Sequence, residues 1–402
     1  MKPAAATSKL SARSNAVLIA LFAVLLWLPT VDELFHVDRA VAYGEKRSLA
    51  ELPDFKFGLR GVKNYIAGLQ SCFNDRFGFR LRLLRWYNQG NYRLFGNRVE
   101  SGVIKGSDGW LFYAKEDMVQ QYRGAHQFTP QDLFEWQRLL ENRRDWLAAR
   151  GIHYIFVVAP DKQSIYSDQL PAWLAKARPE TKLDQFLAHM RAHSTVDVLD
   201  LRLALRQAGR TAPTYLKTDT HWNFFGGYVA YQEIVRALSK QLPALEPLPL
   251  NRFHLRNEPG AGDLAGMLGL DPDEIAEDNR VLFAPKSDLP PLETNFQFNN
   301  AHFNFSRNSL AQNNMIFFHD SFGLAVEPFL GYHFAKVVCP WQNTMDPKLI
   351  EQEKPVVVVT EMVERLFNSQ NPMDLMAEDG LKSGTSAIVS RVVEKASSSV
   401  AN

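Results

Sequence analysis

Apolar residues along this 402-residue chain fall into runs of two kinds. The first is a single uncharged run, Ala16 to Val31, preceded by Lys2, Lys9 and Arg13 and followed by Asp32 and Glu33. As a helix it spans roughly 24 Å. The uncharged stretch extends back to Ser14, enough to cross a locally thinned bilayer. Basic residues on its amino side predict that this end stays in the cytoplasm while the rest of the chain lies outside the inner membrane. A cleaved signal needs small residues just after the apolar core. The A-x-A-like site Ala40-Val41-Ala42 instead lies beyond several charged positions, so the pattern predicts a retained anchor rather than cleavage.

The second kind is short. Tyr154 to Val158 is a continuous apolar run, the pattern of a strand buried on both faces of a parallel sheet, and Val196 to Leu199, Met315 to Phe318 and Val356 to Val359 repeat it. Before the first of these, Thr129-Pro130-Gln131-Asp132 reads as a helix start, with Leu133, Trp136, Leu140 and Leu147 then recurring at helical spacing up to Gly151. The alternation predicts an α/β fold with a doubly wound parallel sheet. Gly106, Asp108 and Gly109 predict a turn into a short aromatic strand, Trp110 to Tyr113, near the start of the main domain. Upstream, Phe73, Phe77, Phe79, Trp86, Tyr87, Tyr92 and Phe95 alternate with Arg76, Arg80, Arg82, Arg85 and Arg93. This interleaving reads as amphipathic helix lying against the main domain with its arginines solvated.

Residues 243–310 lose periodicity and gain Pro, Gly and Asn, the mark of an inserted hairpin and loop region. Within it, Phe296 and Phe298, then Asn299-Asn300, then Phe303 and Phe305, predict a β-hairpin with one face packed on the domain. The organisation expected is a cytoplasmic tip and signal anchor over 1–35, a segment with amphipathic helices over 36–104, and a catalytic domain over 105–394 that carries the insertion. A disordered Ser-rich tail over 395–402 ends the chain.

Charge removes one class of partner. With 45 basic and 44 acidic side chains the formal net charge is +1, without the basic excess of a nucleic-acid binder. Two cysteines, Cys72 and Cys339, make neither a disulfide framework nor a zinc motif, and spacing leaves open whether they pair. His189 and His193 have i,i+4 spacing without an HExxH motif or third ligand, so they read as a solvated helix face, and no metal is predicted.

Candidate chemistry concentrates in Asp219-Thr220-His221-Trp222 and His319-Asp320-Ser321-Phe322. Asp219 and His221 are two apart, so an extended segment would project both from one face as a carboxylate supporting an imidazole. Ser321 follows a strand-like run and opens onto Gly323-Leu324-Ala325, a strand-to-helix turn whose backbone N–H groups could serve as oxyanion donors. Pro160-Asp161-Lys162 follows its own strand, so these groups would meet outside the carboxyl ends of the sheet. Taken singly, each has a structural reading: Asp219 as a turn or capping residue, His221 as a surface histidine, Ser321 as a helix N-cap. Together they describe a serine, a base and an acid suited to acyl chemistry.

These motifs also carry a resemblance. Glu45-Lys46-Arg47-Ser48-Leu49-Ala50 with Pro53 and Phe55, Asp75 to Arg80, Gly106 to Tyr113, Pro160-Asp161-Lys162 with Tyr166 and Leu170-Pro171, the two segments above and Glu361-Met362-Val363-Glu364-Arg365 resemble, in order and spacing, the alginate O-acetyltransferase family of the AlgJ and AlgX type. That resemblance implies an SGNH-hydrolase-like fold, with Ser321 as nucleophile, His221 as general base and Asp219 as its orienting partner. The Asp, His, Ser order is the reverse of ordinary SGNH hydrolases and fits a permuted arrangement. It further implies acetyl transfer through a serine acyl-enzyme to hydroxyls of an exported polysaccharide, on the periplasmic side of the bacterial inner membrane. The acetyl group would come from a multi-spanning membrane acyltransferase, and no cofactor is implied. Alternatives on the same residues are a carbohydrate acetylesterase and a non-catalytic glycan-binding assembly subunit. Lys162, Trp222, His319 and Trp341 are candidate substrate contacts. His319 stands where many relatives have glycine, and it is kept out of the triad either as an acyl-donor contact or as a buried structural histidine.

Overall fold

The computed structural model describes residues 5–35, 50–55, 57–95, 102–115, 117–260, 262–270, 278–295 and 303–381. The Ala40–Ala42 site, Glu45 to Leu49, the hairpin residues Phe296 to Asn300 and the 395–402 tail lie outside the described residues. The chain divides into two compact units, one of residues 1–101 with 265–274 and one of 102–264 with 275–402.

The first unit begins with a helix, Ala5–Phe35, whose Ser14–Asp32 stretch has a mean hydropathy of 2.0 and is long and apolar enough to cross a membrane. Two further helices, Leu59–Arg76 and Arg80–Phe95, follow, and Phe79 between them donates its N–H to Asp32 Oδ2 at 2.9 Å. Phe73, Trp86 and Tyr87 are largely exposed.

In the second unit, strands β1 (Val103–Lys105) and β2 (Leu111–Tyr113) form a small antiparallel hairpin. Its turn places Asp108 and Gly109 at φ 48° and 80°, where glycine or a short polar residue is tolerated. Strands β3 (His153–Ala159) and β4 (Asp197–Asp200) come next, then an antiparallel pair of β5 (Phe253–Gly260) and β6 (Asp278–Pro285). These are followed by β7 (Glu293–Thr294), β8 (Phe303–Arg307), β9 (Asn314–Phe318), β10 (Lys336–Pro340) and β11 (Val357–Val363).

The seven-stranded sheet runs β4-β3-β11-β9-β10-β8-β7. Its first five members are parallel, whereas β8 is antiparallel to β10 and β7 to β8. The sheet is therefore mixed, not the expected doubly wound parallel sheet, because the arms flanking the predicted hairpin add to the β10 edge. Strand alternation divides the core in two. Ile155, Val157, Met315, Phe317, Val357 and Val359 join one buried cluster, while Tyr154, Phe156, Val158, Ile316, Phe318 and Val358 join the other. Helix Phe224–Leu238 packs in the first cluster, and helices Pro130–Ala148 and Lys182–His193 pack in the second. Thr129 and Asp132 close a capping box at the start of Pro130–Ala148, as the sequence predicts.

Two further expectations change. Beyond the hairpin and loop expected there, the 243–310 region holds a further antiparallel pair and a helix, Asp263–Leu268. Strand β8 also turns its polar residues inward: Asn304 and Ser306 are buried and Phe303 is exposed. The reason is Glu327, a buried carboxylate to which Asn304 Nδ2 donates at 2.9 Å. Both cysteines are free and buried.

A buried ion pair closes the second cluster. Arg143, from Pro130–Ala148, donates from Nε to Asp379 Oδ2 at 2.7 Å and from Nη2 to Oδ1 at 3.0 Å, with neither side chain exposed. Asp379 also accepts the Met345 N–H at 2.7 Å. Asp379→Ala leaves the guanidinium buried without its anion and is expected to cost roughly 3–5 kcal/mol, measured as a fall in the urea midpoint. A loss no larger than the roughly 0.5 kcal/mol of a surface substitution would contradict this account.

Candidate active site

Parallel strands deliver their carboxyl ends to one edge, and the sheet order sets β3, β11 and β9 side by side. After β9 comes Asp320. Its Oδ1 accepts the Phe322 N–H at 2.9 Å and its Oδ2 accepts the Val363 N–H of β11 at 2.7 Å. This carboxylate thus fastens the turn bearing Ser321 to the neighbouring strand. After β3 comes Asp161, whose N–H donates to Glu364 Oε2 at 3.0 Å and whose Oδ1 accepts from Arg365 Nη1 at 2.6 Å.

The second half of the site is a loop, 215–223. Lys162, buried just beyond β3, donates from Nζ to the carbonyls of Leu216 and Lys217 at 3.0 Å each and of Asp219 at 2.6 Å. Tyr215 donates its hydroxyl to the Pro160 carbonyl. Asn223 ends the loop by capping Phe224–Leu238, accepting the Gly226 N–H. Trp222 Nε1 donates to the Phe322 carbonyl at 3.0 Å, tying this loop to the turn after β9.

Across that junction the three expected residues meet. His221 Nε2 lies 2.8 Å from Ser321 Oγ and its Nδ1 lies 2.7 Å from Asp219 Oδ1. The His221 N–H also donates to Asp219 Oδ1 at 2.9 Å. The route to this geometry differs from expectation. The segment is a turn rather than an extended stretch, and Asp219 reaches the imidazole by bonding the backbone two residues on. The oxyanion expectation narrows as well, because the Phe322 N–H is taken by Asp320 Oδ1 and the Gly323 N–H by the Asp320 carbonyl.

Of the four candidate substrate contacts, Lys162 and Trp222 are buried and bonded to backbone, so they hold loops and do not face solvent. His319 is fully buried as well. Its Nε2 lies 2.5 Å from Glu327 Oε1 and its Nδ1 2.6 Å from the Asp320 carbonyl, beneath the Ser321 turn. Burial alone would lower its pKa, but the neighbouring Glu327 and the Asp320 carbonyl raise it above the ordinary value. Trp341 alone of the four keeps an exposed face. His189 Nε2 donates to Gln137 Oε1 at 2.8 Å, and its ring lies 4.7 Å from that of His193.

Reading the sequence missed Asp263, which lies in the aperiodic region with no motif around it. Its Oδ2 lies 3.8 Å from His221 Nδ1. Asp219, His221 and Asp263 offer ligand atoms within 4.8 Å of one another, the arrangement among the described residues that could hold a metal ion. The same atoms already serve as hydrogen-bond partners within the cluster.

The site's carboxyls differ sharply. Burial would raise the Asp219 pKa, but hydrogen bonds and charge from His221 and the Asp263 N–H hold it well below the usual carboxylate range. Glu361 is driven well above its ordinary value by burial and by Asp320, and Asp161 is raised by burial despite Arg365. Glu364 is pushed up to about 7 by burial and by the Asp161 charge.

Residues 103–288 match the family model for the SGNH hydrolase-like domain of the acetyltransferase AlgX. Over that part the chain is similar to this SGNH hydrolase-like domain. It is 32% identical over 187 residues to the probable alginate O-acetylase AlgJ of Pseudomonas putida, covering 45% of this chain and 46% of that protein. To the probable alginate O-acetylase AlgJ of Pseudomonas aeruginosa it is 30% identical over 190 residues, covering 46% of each. The chain thus spans about half the length of the curated relatives it matches. Among solved structures, Bacillus cereus PatB1 shares the fold, with a TM-score of 0.52 at 14% identity over 67% of this chain and 98% of that one.

The Glu364 shift predicts a pH dependence. An acid whose folded pKa lies above its unfolded one holds its proton more tightly when native, so native stability falls as pH rises from near the ordinary value of 4.5 through about 7. Glu364→Gln removes that contribution. The thermal midpoint of the variant relative to the parent should therefore be higher at pH 8 than at pH 5. An equal difference at both values would contradict the assignment.

Proposed function

We propose that this chain is an O-acetyltransferase that acetylates hydroxyls of an exported polysaccharide through a serine acyl-enzyme. The observation that carries the reading is the continuous hydrogen-bonded line from Asp219 Oδ1 through His221 to Ser321 Oγ, at 2.7 and 2.8 Å. Serine is a weak nucleophile until a base takes its proton, and this line supplies the base and holds its ring.

In the first half-reaction Ser321 Oγ adds to the carbonyl carbon of an acetyl ester while its proton passes to His221 Nε2. The tetrahedral intermediate then expels the donor's alcohol, which takes the proton from His221, leaving acetyl-Ser321. In the second half a sugar hydroxyl gives its proton to His221 and adds to the acetyl carbon. Collapse releases the acetylated sugar and returns the proton to Ser321. Asp219 keeps Nδ1 protonated throughout, and its depressed pKa keeps it anionic for that role. Donor capacity for the oxyanion falls to the Ser321 N–H, since the next two N–H groups are engaged by Asp320.

The apolar Ser14–Asp32 helix supports tethering at the inner membrane with the domain outside it. There a multi-spanning membrane acyltransferase would present the acetyl group. The AlgJ relatives are named probable alginate O-acetylases, which supplies a chemical precedent for the acceptor.

Ser321→Ala should abolish acetyl-enzyme detectable by intact mass and stop transfer from an acetyl ester to oligosaccharide, with the thermal midpoint unchanged. Asp219→Ala should reduce transfer by less, because the base remains. Retained transfer in Ser321→Ala would overturn the serine mechanism. Ester hydrolysis at a rate indifferent to oligosaccharide, without acetylated glycan, would instead identify an esterase.

A further inference from the structure

Residues 262–264 pack tightly against the acid and base. Gly262 donates its N–H to Thr218 Oγ1 at 2.9 Å and Leu264 donates to the Thr218 carbonyl at 3.0 Å. A Cβ on Gly262 would collide with Asp219 Cβ and the Thr218 carbonyl, so only glycine lets the two backbones approach this closely. The residue delivered by that approach is Asp263. Its Oδ1 accepts the Thr220 N–H at 2.8 Å and its Oδ2 accepts the Thr220 hydroxyl at 2.7 Å. Its own N–H donates to Asp219 Oδ2 at 3.2 Å, taking the acid's second oxygen and leaving Oδ1 for the imidazole.

We propose that Asp263 is a positioning residue for the His221 base, orienting Asp219 and Thr220 and supplying a second carboxylate beside the imidazolium that forms when Ser321 loses its proton. The proposal rests on the reading of Ser321 and His221 given above. The geometry is specific to that task. Oδ2 lies 3.8 Å from His221 Nδ1, on the side where positive charge develops, and Thr220 Oγ1 sits between them at 3.2 Å from Nδ1. The charged groups around the ring are Asp219 and Asp263, with Arg365 acting on Asp263 from the end of β11. With Asp219 removed, Asp263 is the carboxylate left to hold the ring and its charge.

The test uses the full chain in detergent and phenylmethanesulfonyl fluoride, which sulfonylates an activated serine without needing an acetyl donor or a glycan. Labelling of Ser321 is followed by peptide mass against pH. Asp263→Asn keeps an acceptor for the Thr220 N–H but loses the anion, so the midpoint of labelling should move about one pH unit lower. Asp263→Glu, which restores the charge, should bring the midpoint back toward the parent value. Asp219→Ala should retain measurable labelling, and the Asp219→Ala/Asp263→Asn pair should be slower than Asp219→Ala by about tenfold or more. Thermal midpoints separate these effects from loss of fold. If Asp263→Asn does not fold, the comparison of parent with Asp263→Glu and with Thr220→Val decides. Thr220→Val cuts the hydroxyl link but keeps the charge, so it should slow labelling without moving the midpoint. Superimposable pH profiles in parent and Asp263→Asn, with the double variant no slower than Asp219→Ala, would overturn the proposal. Failure to label Ser321 in the parent would overturn the catalytic reading itself, and this proposal with it.

Discussion

A single buried ammonium holds the site together. The loop that carries Asp219 and His221 is neither helix nor strand, so its inward carbonyls have no ladder to join, and an unsatisfied buried carbonyl costs about 1–3 kcal/mol. Lys162 meets three of them at once, at Leu216, Lys217 and Asp219. Desolvating an ammonium costs several kcal/mol, which these three acceptors offset together with the faces of Phe112 and Trp110, whose ring centroids lie 5.3 and 5.6 Å from Nζ. The lysine comes from the end of β3, whose position is fixed by pairing to β11 along its whole length. Sheet register is thereby transmitted through one side chain to the carbonyl of the acid itself.

Ser321 is held by a different means. Ser321 stands one residue beyond Asp320, which bridges β9 to β11, and two beyond His319, which is paired with Glu327. Gly323 is required above that imidazole, since a Cβ there would run into the His319 ring. Under the turn lie Asp161, Asp320, Glu361 and Glu364, and burial first, then the charges of Asp320 and Asp161, raise the pKa values of Glu361 and Glu364. Arg365 donates to Asp161 and bears on Asp320 from the same side. Negative charge is thus limited beneath the serine, where an excess would oppose a developing oxyanion.

Legibility in the sequence follows burial symmetry. Strands β3, β9 and β11 are covered on both faces, so their apolar runs have no polar interruption and stand out. Strand β10 escaped notice because Lys336 and Pro340 leave only Val337-Val338-Cys339 between them, too short a run to separate from core loop. The mixed edge was hidden for a related reason: β8 turns Asn304 and Ser306 inward to serve Glu327, inverting the usual rule for which side faces the core. Asp219, His221 and Ser321 were readable because each adjoins a recognisable element or motif. Lys162 was visible as a charged residue at a strand end, but three carbonyl acceptors leave no trace in residue types, so its role was misread as substrate contact. Asp263 had no signal beyond the Gly262 before it.

Openness of the site constrains its chemistry. His221 and Asp219 keep 24% and 14% of their side chains exposed, and Ser321 is only half-buried. A shallow position admits a polymer laid across it, which an enclosed cavity would not, but it also admits water. On the proposed reading, transfer in preference to hydrolysis requires that the acceptor itself cover the acyl-serine when bound, replacing water at His221 Nε2 with a sugar hydroxyl. On that argument selectivity resides in the surface around Ser321, where Trp341 presents an exposed face beside the buried His319, at 6.3 Å between rings. The triad and its supports beneath can then be common to transferases and esterases alike.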